Sequence, residues 1–124
     1  MKEKGRHRSE QAIGRILRRY VRKKRFLVSS SIKGTLAQEL GLDSLELHRY
    51  MMKKKGCDPA SWRTSLRIEW AKQLILAEPE THLRDIATRS GFSDHSNFSK
   101  QFISHTGLPP SVWRRQQDKE KAAT

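Results

Sequence analysis

The sequence has a single cysteine, Cys57, among 124 residues, and it has no proline before Pro59. One cysteine excludes an internal disulfide, and with five scattered histidines it gives no C-x-x-C or H-x-x-x-H pattern for zinc. The sequence also lacks a glycine-rich phosphate loop, a carboxylate pair and a cysteine–histidine dyad. It therefore predicts a protein that is not an enzyme and that holds no metal or cofactor.

Long apolar runs are absent as well. No stretch approaches the roughly 18–20 apolar residues needed to span a bilayer, and residues 1–10 are charged, with no apolar signal core after them. Hydrophobic residues make up 35% of the chain, below the roughly 45–50% of an average domain. We therefore expect a soluble, cytoplasmic protein with a thin core, built as one compact domain or two very small ones.

Positive charge is what the sequence has in excess. Lysine and arginine number 26 against 13 aspartate and glutamate, which gives a formal net charge of +13. The first 30 residues hold eleven basic and two acidic residues, so they carry +9 of that charge. Such an excess favours a polyanionic partner, either nucleic acid or an anionic membrane.

An apolar stripe runs through this basic segment. Its members recur at i, i+3, i+4, i+7 and i+8 and are Ile13, Ile16, Leu17, Tyr20 and Val21. The stripe predicts a helix from about residue 10 to 24, after a basic flexible tail over residues 1–9. Two interpretations of the arginine face stay open: a solvated back of a core-docking helix, or a back that also contacts phosphate. Residues 26–33 lose the stripe and are predicted to be a connection.

The chain contains an internal repeat. A Gly-x-x-Pro-x-x-Trp-Arg stretch that begins at Gly56 recurs 51 residues later, beginning at Gly107. Upstream, Leu36-Ala37 with Gly41 recurs 50 residues later as Ile86-Ala87 with Gly91. Two copies are too few for a solenoid, so the repeat predicts a pair of tandem modules of about 50 residues.

Each copy has a helix-turn-helix pattern. In the first, Gly41 can adopt the positive φ that ends a helix, Leu42 fills the corner, and Asp43 is an N-cap with Glu46 three residues on. The second helix then places Leu47, Tyr50 and Met51 inward, and it leaves five residues outward: Ser44, Leu45, His48, Arg49 and Met52. In the second copy, Ser93 and Asp94 cap a helix whose core face holds Phe98 and Phe102, while Ser90 replaces Leu40 and weakens the inner face of the preceding helix.

A linker helix is predicted between the two modules, over residues 61–78. Its apolar positions are Trp62, Leu66, Ala71, Leu74 and Ile75, and Pro79 ends it. The expected fold is all-α, with the N-terminal helix and the first helix-turn-helix in residues 10–60. The second helix-turn-helix lies in residues 79–115, and a polar tail follows over residues 116–124.

The most specific motifs lie in and after this linker. They are Leu66-Arg67-Ile68-Glu69-Trp70-Ala71-Lys72, Asp85-Ile86-Ala87, Gly91-Phe92-Ser93-Asp94, Ser96-Asn97-Phe98-Ser99 with Phe102, and Gly107-x-x-Pro110-x-x-Trp113-Arg114. Together they resemble the C-terminal DNA-binding domain of the AraC/XylS family of bacterial transcription regulators, over about residues 32–115. His82 departs from the family's usual Ser or Thr cap, which weakens the helix start at Leu83.

The resemblance implies two helix-turn-helix subdomains whose recognition helices enter successive major-groove segments of duplex DNA. Carried over position by position, the family's base contacts fall on Leu45, His48 and Arg49 in the first helix. In the second helix they fall on His95, Ser96 and Lys100. It further implies transcription regulation with RNA polymerase as a protein partner. A monomer suffices for an asymmetric site, and the oligomeric state stays open, as does whether the chain is complete or the end of a longer sensor.

The chemistry of these side chains supports several of the roles. Arg49 can pair bidentately with guanine, and Leu45 can contact a thymine methyl group. Backbone N–H groups at the helix starts near Asp43 and Ser93 can hold phosphate. We expect the same role for four basic residues, with solvated surface charge as the alternative: Lys54, Arg63, Arg89 and Arg114.

A different class of function competes with this interpretation. The +9 segment before residue 31 is also typical of a non-specific basic protein that binds RNA or a membrane surface. A third alternative is an interaction module that binds acidic protein surfaces. A sequence preference on duplex DNA discriminates these alternatives from a specific regulator.

Overall fold

The structure, a computed structural model, describes residues 8–28 and 35–123. Within those ranges it contains seven α-helices, one 3-10 turn and no strand, so the all-α prediction is confirmed. The chain divides into two compact units, the first ending at Thr64 and the second beginning at Ser65. The helices are α1 (Glu10–Arg22), α2 (Leu36–Leu40), α3 (Ser44–Lys54), α4 (Pro59–Ala77), α5 (Leu83–Arg89), α6 (His95–Thr106) and α7 (Pro110–Ala123). None of these helices has the length and apolar character needed to cross a bilayer.

Helix α1 begins where Ser9 caps it, because the Ser9 side chain accepts the Ala12 N–H at 3.1 Å. Of the predicted stripe, Ile13, Leu17 and Tyr20 are buried. The other two members differ: Ile16 is half-buried, and Val21 is 36% exposed at the edge of the stripe. The predicted amphipathic helix is therefore present, with a narrower buried face than the sequence pattern suggested.

The start of α1 is attached to α3. The Arg8 N–H donates to Glu46 Oε1 at 3.2 Å, and Lys53 Nζ donates to Glu10 Oε2 at 2.7 Å. The described end of the predicted flexible tail is thus docked, while residues 1–7 lie outside the described residues. Phe26 is buried in a 3-10 turn (Arg25–Leu27), so the predicted connection begins as a packed turn. Residues 29–33 of that connection lie outside the described residues.

The first helix-turn-helix consists of α2 and α3. A capping box starts α2: Thr35 Oγ1 accepts the Gln38 N–H, and Gln38 Oε1 accepts the Thr35 N–H. Gly41 ends α2 with φ 68°, and Leu42 is buried directly after it, both as predicted. The left-handed conformation at this corner favours glycine because it lacks a Cβ.

The core of the first unit is mainly aliphatic around the helix-turn-helix and aromatic towards α1. The Tyr20 ring packs against Trp62, at 5.9 Å between centroids, and against Phe26, at 6.5 Å. Its buried members are Ile13, Leu17, Tyr20, Phe26, Leu36, Ala37, Leu42, Leu47, Met51 and Trp62. Helix α1 is therefore part of this core.

Helix α4 begins two residues earlier than the sequence predicted. Asp58 caps it by accepting the Ser61 N–H at 2.7 Å, and Pro59 occupies the first helical position, where its missing N–H costs nothing. This hydrogen bond lowers the pKa of Asp58 below its usual value. Trp62 is buried in the first unit, whereas Ile68, which the predicted stripe omitted, is fully buried in the second. Leu66, which the stripe included, is half-buried.

The second helix-turn-helix consists of α5 and α6. His82 stands at the N-cap of α5 without a side-chain hydrogen bond to the helix, which confirms the predicted weak start. Gly91 lies in the turn with φ 95°, and Asp94 caps α6 by accepting the Ser96 N–H at 3.0 Å. The buried core is Ile68, Ala71, Leu74, Ile75, Ile86, Ala87, Phe92, Phe98 and Phe102.

Helix α7 differs from the prediction for the C-terminus. Its first turn carries Trp113, whose ring packs edge-on against Phe102 at 5.6 Å between centroids. The helix continues to Ala123, so the segment 116–124 is helical as far as Ala123 instead of a polar tail. Residues 116–123 have no apolar stripe, but Gln, Lys, Glu and Ala are strong helix formers that extend a helix already started by packing.

Candidate nucleic-acid interface

Helix α3 presents the three side chains that were assigned to base contacts. Leu45, His48 and Arg49 are all exposed, and Leu45 is 54% exposed although it is apolar. Leu47 and Met51, on the opposite side of the helix, are fully buried. The buried pair fixes the rotation of α3 about its axis, which leaves the predicted contact residues directed to solvent.

Helix α6 presents an equivalent face in the second unit. Ser96 and Lys100 are exposed, and Phe98 and Phe102 are fully buried on the other side. His95 is exposed at the start of the helix, and its ring lies 6.1 Å from the Phe98 ring. All three predicted contact residues of α6 are thus at the surface, with His95 partly supported by the core.

The exposed residues of α3 and α6 occupy corresponding positions of the repeat. Leu45 corresponds to Ser96 and Arg49 to Lys100 at the 51-residue spacing of the repeat. The same spacing pairs three further positions of these faces that the prediction of base contacts omitted: Met52, Ser99 and Ile103. Met52 and Ile103 are 49% and 43% exposed, and Ser99, the counterpart of His48, is half-buried. The spacing itself was the sequence signal that could have identified them.

Each of the two helix starts that are predicted to hold phosphate carries a capping carboxylate. Asp43 Oδ2 accepts the Glu46 N–H at 3.0 Å, so the carboxylate occupies part of the N-terminus of α3. In the second unit Asp94 has that position, and Ser93 is exposed just before it. A negative cap stabilises each helix but competes with phosphate for the same N–H groups.

The four basic residues assigned to phosphate already contact other groups of the protein. Lys54 Nζ lies 3.5 Å from Glu10 Oε1. Arg63 lies 3.5 Å from Glu39 Oε1, with only 14% of its side chain exposed. Arg114 donates to the Thr81 carbonyl oxygen at 2.8 Å. Arg89, the fourth, pairs with Glu78, so a bound phosphate must share or replace each of these partners.

The pairing of Arg89 with Glu78 is bidentate. The two terminal guanidinium nitrogens of Arg89 donate to Glu78 Oε1 at 2.7 Å and to Glu78 Oε2 at 2.8 Å. The Thr81 hydroxyl also donates to Glu78 Oε1, at 3.0 Å. These hydrogen bonds, led by the one from Arg89, lower the pKa of Glu78 to about 2. The same contact raises the pKa of Arg89. Together with the bond from Arg114 to Thr81, it fixes the turn between α4 and α5.

A cleft of about 570 Å³ opens beside the exposed face of α3. The start of α2 and the start of α4 form its other walls, and Leu45 and His48 line it from α3. Arg63 and Asp58 also line it. The same cleft is therefore bordered by Arg63 and by two base-contact candidates of α3.

Arg49 and Lys100 differ from these paired cations. Among the described residues, neither makes an ion pair or a hydrogen bond to another side chain, and both lie centrally on the exposed faces of α3 and α6. No group of three or more potential metal ligands occurs in the part of the chain that the structure describes. The arrangement offers hydrogen-bond donors and positive charge to an anionic ligand.

Comparison with known proteins identifies the same segment. A family model described as a helix-turn-helix domain matches residues 36–116. The chain is 34% identical over 83 residues to the transcriptional activator RhaS of Escherichia coli, covering 67% of this chain and 30% of RhaS. It is 29% identical over 79 residues to the lactose operon transcription activator of Staphylococcus xylosus, covering 64% and 28%. The chain spans under a third of the length of these curated relatives.

The fold of the chain also resembles that of a transcription regulator of known structure. The C-terminal domain of AraT, a response regulator from Geobacillus stearothermophilus, superposes with a TM-score of 0.68 at 26% identity, covering 82% of this chain and 84% of that one. The relatives and fold neighbours are transcription regulators with DNA-binding domains and are not enzymes.

Proposed function

Because the chain belongs to the AraC-type helix-turn-helix family, a family of DNA-binding transcription regulators, we propose that it binds duplex DNA sequence-specifically through α3 and α6. In this proposal the two helices enter successive major-groove segments of one site. The protein regulates bacterial transcription from that site, as RhaS and the lactose operon activator do by name.

One observation carries the proposal: each unit exposes a cation that has no side-chain partner among the described residues, at the same position of the helix proposed to read the bases. Arg49 in α3 can donate two hydrogen bonds to O6 and N7 of guanine, and Lys100 in α6 can donate to the same acceptors. Leu45 contributes an apolar contact with a thymine methyl group, whereas its counterpart Ser96 offers a hydroxyl. His48 and His95 add donors or acceptors according to their tautomers.

The proposal also includes the phosphate contacts, but the residues concerned are not equally well placed to make them. Arg63 has the most favourable position, because it lines the cleft beside Leu45 and His48. Lys54, Arg89 and Arg114 contribute if phosphate competes with their carboxylate or carbonyl partners. The N–H groups near Asp43 and Ser93 contribute beside the capping carboxylates.

The test is a selection of the whole chain against random duplex DNA at about 150 mM salt, followed by sequencing of the enriched sites. It is repeated with Arg49→Ala and with Lys100→Ala, which serve as matched controls because they change equivalent positions. We expect two specified blocks about one helical turn apart. Each variant should lose one block and keep the other.

Two results would contradict the proposal. One is no enrichment over background together with binding that disappears as salt rises, as expected for a non-specific basic RNA- or membrane-binding protein. The other is an enriched site from which neither variant removes a block. Either result would mean that the positively charged side chains Arg49 and Lys100 do not recognise a DNA sequence.

The remaining features of the function follow from DNA binding. A cytoplasmic location follows because bacterial chromosomal DNA lies in that compartment. A monomer suffices for an asymmetric site, because both recognition helices are on one chain. Regulation of transcription gives RNA polymerase a role as protein partner, and that contact belongs to the proposal as well.

A further inference from the structure

Helix α1 carries four arginines on one solvent-facing stripe. Arg15, Arg18, Arg19 and Arg22 lie at i, i+3, i+4 and i+7, and all four are exposed. Side chains at these spacings are neighbours on a helix surface, so the stripe is about 10 Å long. The four side chains surround a shallow depression beside Ile16. We call this surface the arginine stripe.

No carboxylate of the described residues pairs with the arginine stripe. Ion pairs in this part of the chain are made by other cations, among them Arg25, Lys53, Lys54, Arg63, Lys72 and Arg89. Like charges at i, i+3 and i, i+4 spacings repel one another and destabilise a helix. A bound anion would remove that repulsion, which makes the stripe a candidate anion-binding surface.

The arginine stripe belongs to the same compact unit as α3. Lys53, at the end of α3, donates to Glu10 of α1 at 2.7 Å, and the Arg8 N–H donates to Glu46 of α3. Gly14 permits the close approach of the two helices, because a Cβ there would lie 3.1 Å from Tyr50 Oη. The stripe is therefore carried by a helix fixed directly against the recognition helix of the first unit.

The chemistry of α1 indicates which anion fits. Its apolar face is buried in the core through Ile13, Leu17 and Tyr20, so it cannot insert into a bilayer. Val21 is the only large apolar side chain that is exposed on this helix, whereas protein interfaces are centred on buried apolar and aromatic anchors. Regularly spaced guanidinium groups without apolar anchors suit a regular polyanion.

We infer that the arginine stripe binds the phosphodiester backbone of duplex DNA flanking the segment contacted by α3. This inference rests on the proposed function, because it assumes that α3 is held on duplex DNA. The stripe adds affinity without sequence preference, since phosphates carry no base information. It also extends the contacted DNA beyond the two specified blocks.

The experiment uses two double variants of the whole chain, Arg15→Gln/Arg19→Gln and Arg18→Gln/Arg22→Gln. The matched control is Arg115→Gln/Lys119→Gln, which removes the same charge at the same i, i+4 spacing from the exposed surface of α7. The dissociation constant is measured at about 50 and 200 mM salt on the selected duplex. Each measurement is repeated on a duplex extended by about 10 base pairs beyond the α3 block, and circular dichroism verifies that each variant is helical.

Each double variant should lose two phosphate contacts. The slope of log affinity against log salt should then fall by about 1.8, so the wild type loses about tenfold more affinity than the variant between the two salt concentrations. Extension of the duplex should strengthen binding by the wild type and the control but not by the variants. The enriched sequence should be the same for all four proteins.

The inference would be overturned if both double variants had the salt slope of the wild type and gained as much affinity as the wild type when the duplex is extended. An equal loss in the α7 control would overturn it as well, because it would indicate a general charge effect. Variants that bind duplex DNA normally but lose binding to single-stranded RNA would also overturn it, by assigning the stripe to RNA. Failure of the proposed function is distinguishable, because it abolishes sequence preference in the wild type itself.

Discussion

The two copies of the repeat build the same motif with different cores. In the second unit α6 supplies two fully buried phenylalanines, Phe98 and Phe102, and Trp113 packs on the latter. At the equivalent positions the first unit has Leu47 and Met51, which are smaller in cross-section. Besides Trp62, the buried aromatic side chains of this core, Tyr20 and Phe26, come from outside the repeat, from α1 and the 3-10 turn that follows it.

This difference explains why α1 is needed by one unit. Trp62 and Trp113 occupy the same position of the repeat, but Trp62 packs against Tyr20 of α1, whereas Trp113 packs against Phe102 of α6. A helix that lies outside the repeat thus completes the first core. The second unit completes its core with α6. Its aromatic rings follow one another in the order Phe92, Phe98, Phe102 and Trp113, at centroid distances of 5.2–5.6 Å.

We expect the largest loss of stability from a substitution in the core of the second unit. Phe98→Ala should lower the free energy of unfolding by about 3–5 kcal/mol, because it removes a fully buried ring and leaves a cavity. The equivalent change in the first unit, Leu47→Ala, should cost less, about 2–4 kcal/mol. Urea denaturation of both variants checks the order, and a larger loss for Leu47→Ala would contradict it.

The contribution of α1 is tested next. Tyr20→Ala should cost about 3 kcal/mol, because it removes the ring that contacts both Phe26 and Trp62. Tyr20→Phe keeps the ring and serves as the control with a smaller loss. Urea denaturation followed by circular dichroism measures both losses. Equal stability of Tyr20→Ala and wild type would mean that the first unit does not need α1.

A third change should stabilise the second unit. Ser90 is fully buried, and its hydroxyl has no hydrogen-bond partner among the described residues, whereas the equivalent Leu40 is apolar and half-buried. Ser90→Ala should raise the free energy of unfolding by about 1 kcal/mol, since it removes an unsatisfied buried polar group. Leu40→Ala should do the opposite. A destabilised Ser90→Ala variant in thermal denaturation would show that the hydroxyl is satisfied.

The helix starts give a smaller contrast. Thr35 caps α2 with a capping box, while His82 at the N-cap of α5 makes no side-chain cap bond. His82→Thr should add about 0.5–1 kcal/mol of stability by supplying that bond, and Thr35→Ala should remove a similar amount. Amide hydrogen exchange in the first turns of α2 and α5 measures both. Unchanged protection in α5 of His82→Thr would reject the explanation.

The smallest effect concerns acid stability. The bidentate contact with Arg89 holds the pKa of Glu78 near 2, below its usual value of 4.5. A lowered pKa contributes stability that is complete above about pH 4.5 and is lost as the pH falls towards 2. Glu78→Gln should therefore flatten the decline in melting temperature between those pH values. Parallel acid profiles of Glu78→Gln and wild type would contradict the assignment.

Much of this fold could be predicted because residues of the same type mark the turns and the helix starts in both copies of the repeat. Gly41 and Gly91 mark the turns, Asp43 and Asp94 mark the helix starts, and the buried residues of α3 and α6 fix which side chains face outward. The Arg89–Glu78 contact could not be predicted, because it joins residues across a turn whose geometry the pattern does not define. The extension of α7 was missed for a different reason: a polar helix has no hydrophobic period to detect.

The central claim is that two recognition helices of one chain contact two segments of the same duplex. Hydroxyl-radical footprinting of the whole chain on its selected site tests this most directly. The account predicts two protected segments about 10 base pairs apart on one side of the duplex. Lys100→Ala should weaken one of them and Arg49→Ala the other. A single protected segment, or uniform protection that both variants reduce equally, would contradict it.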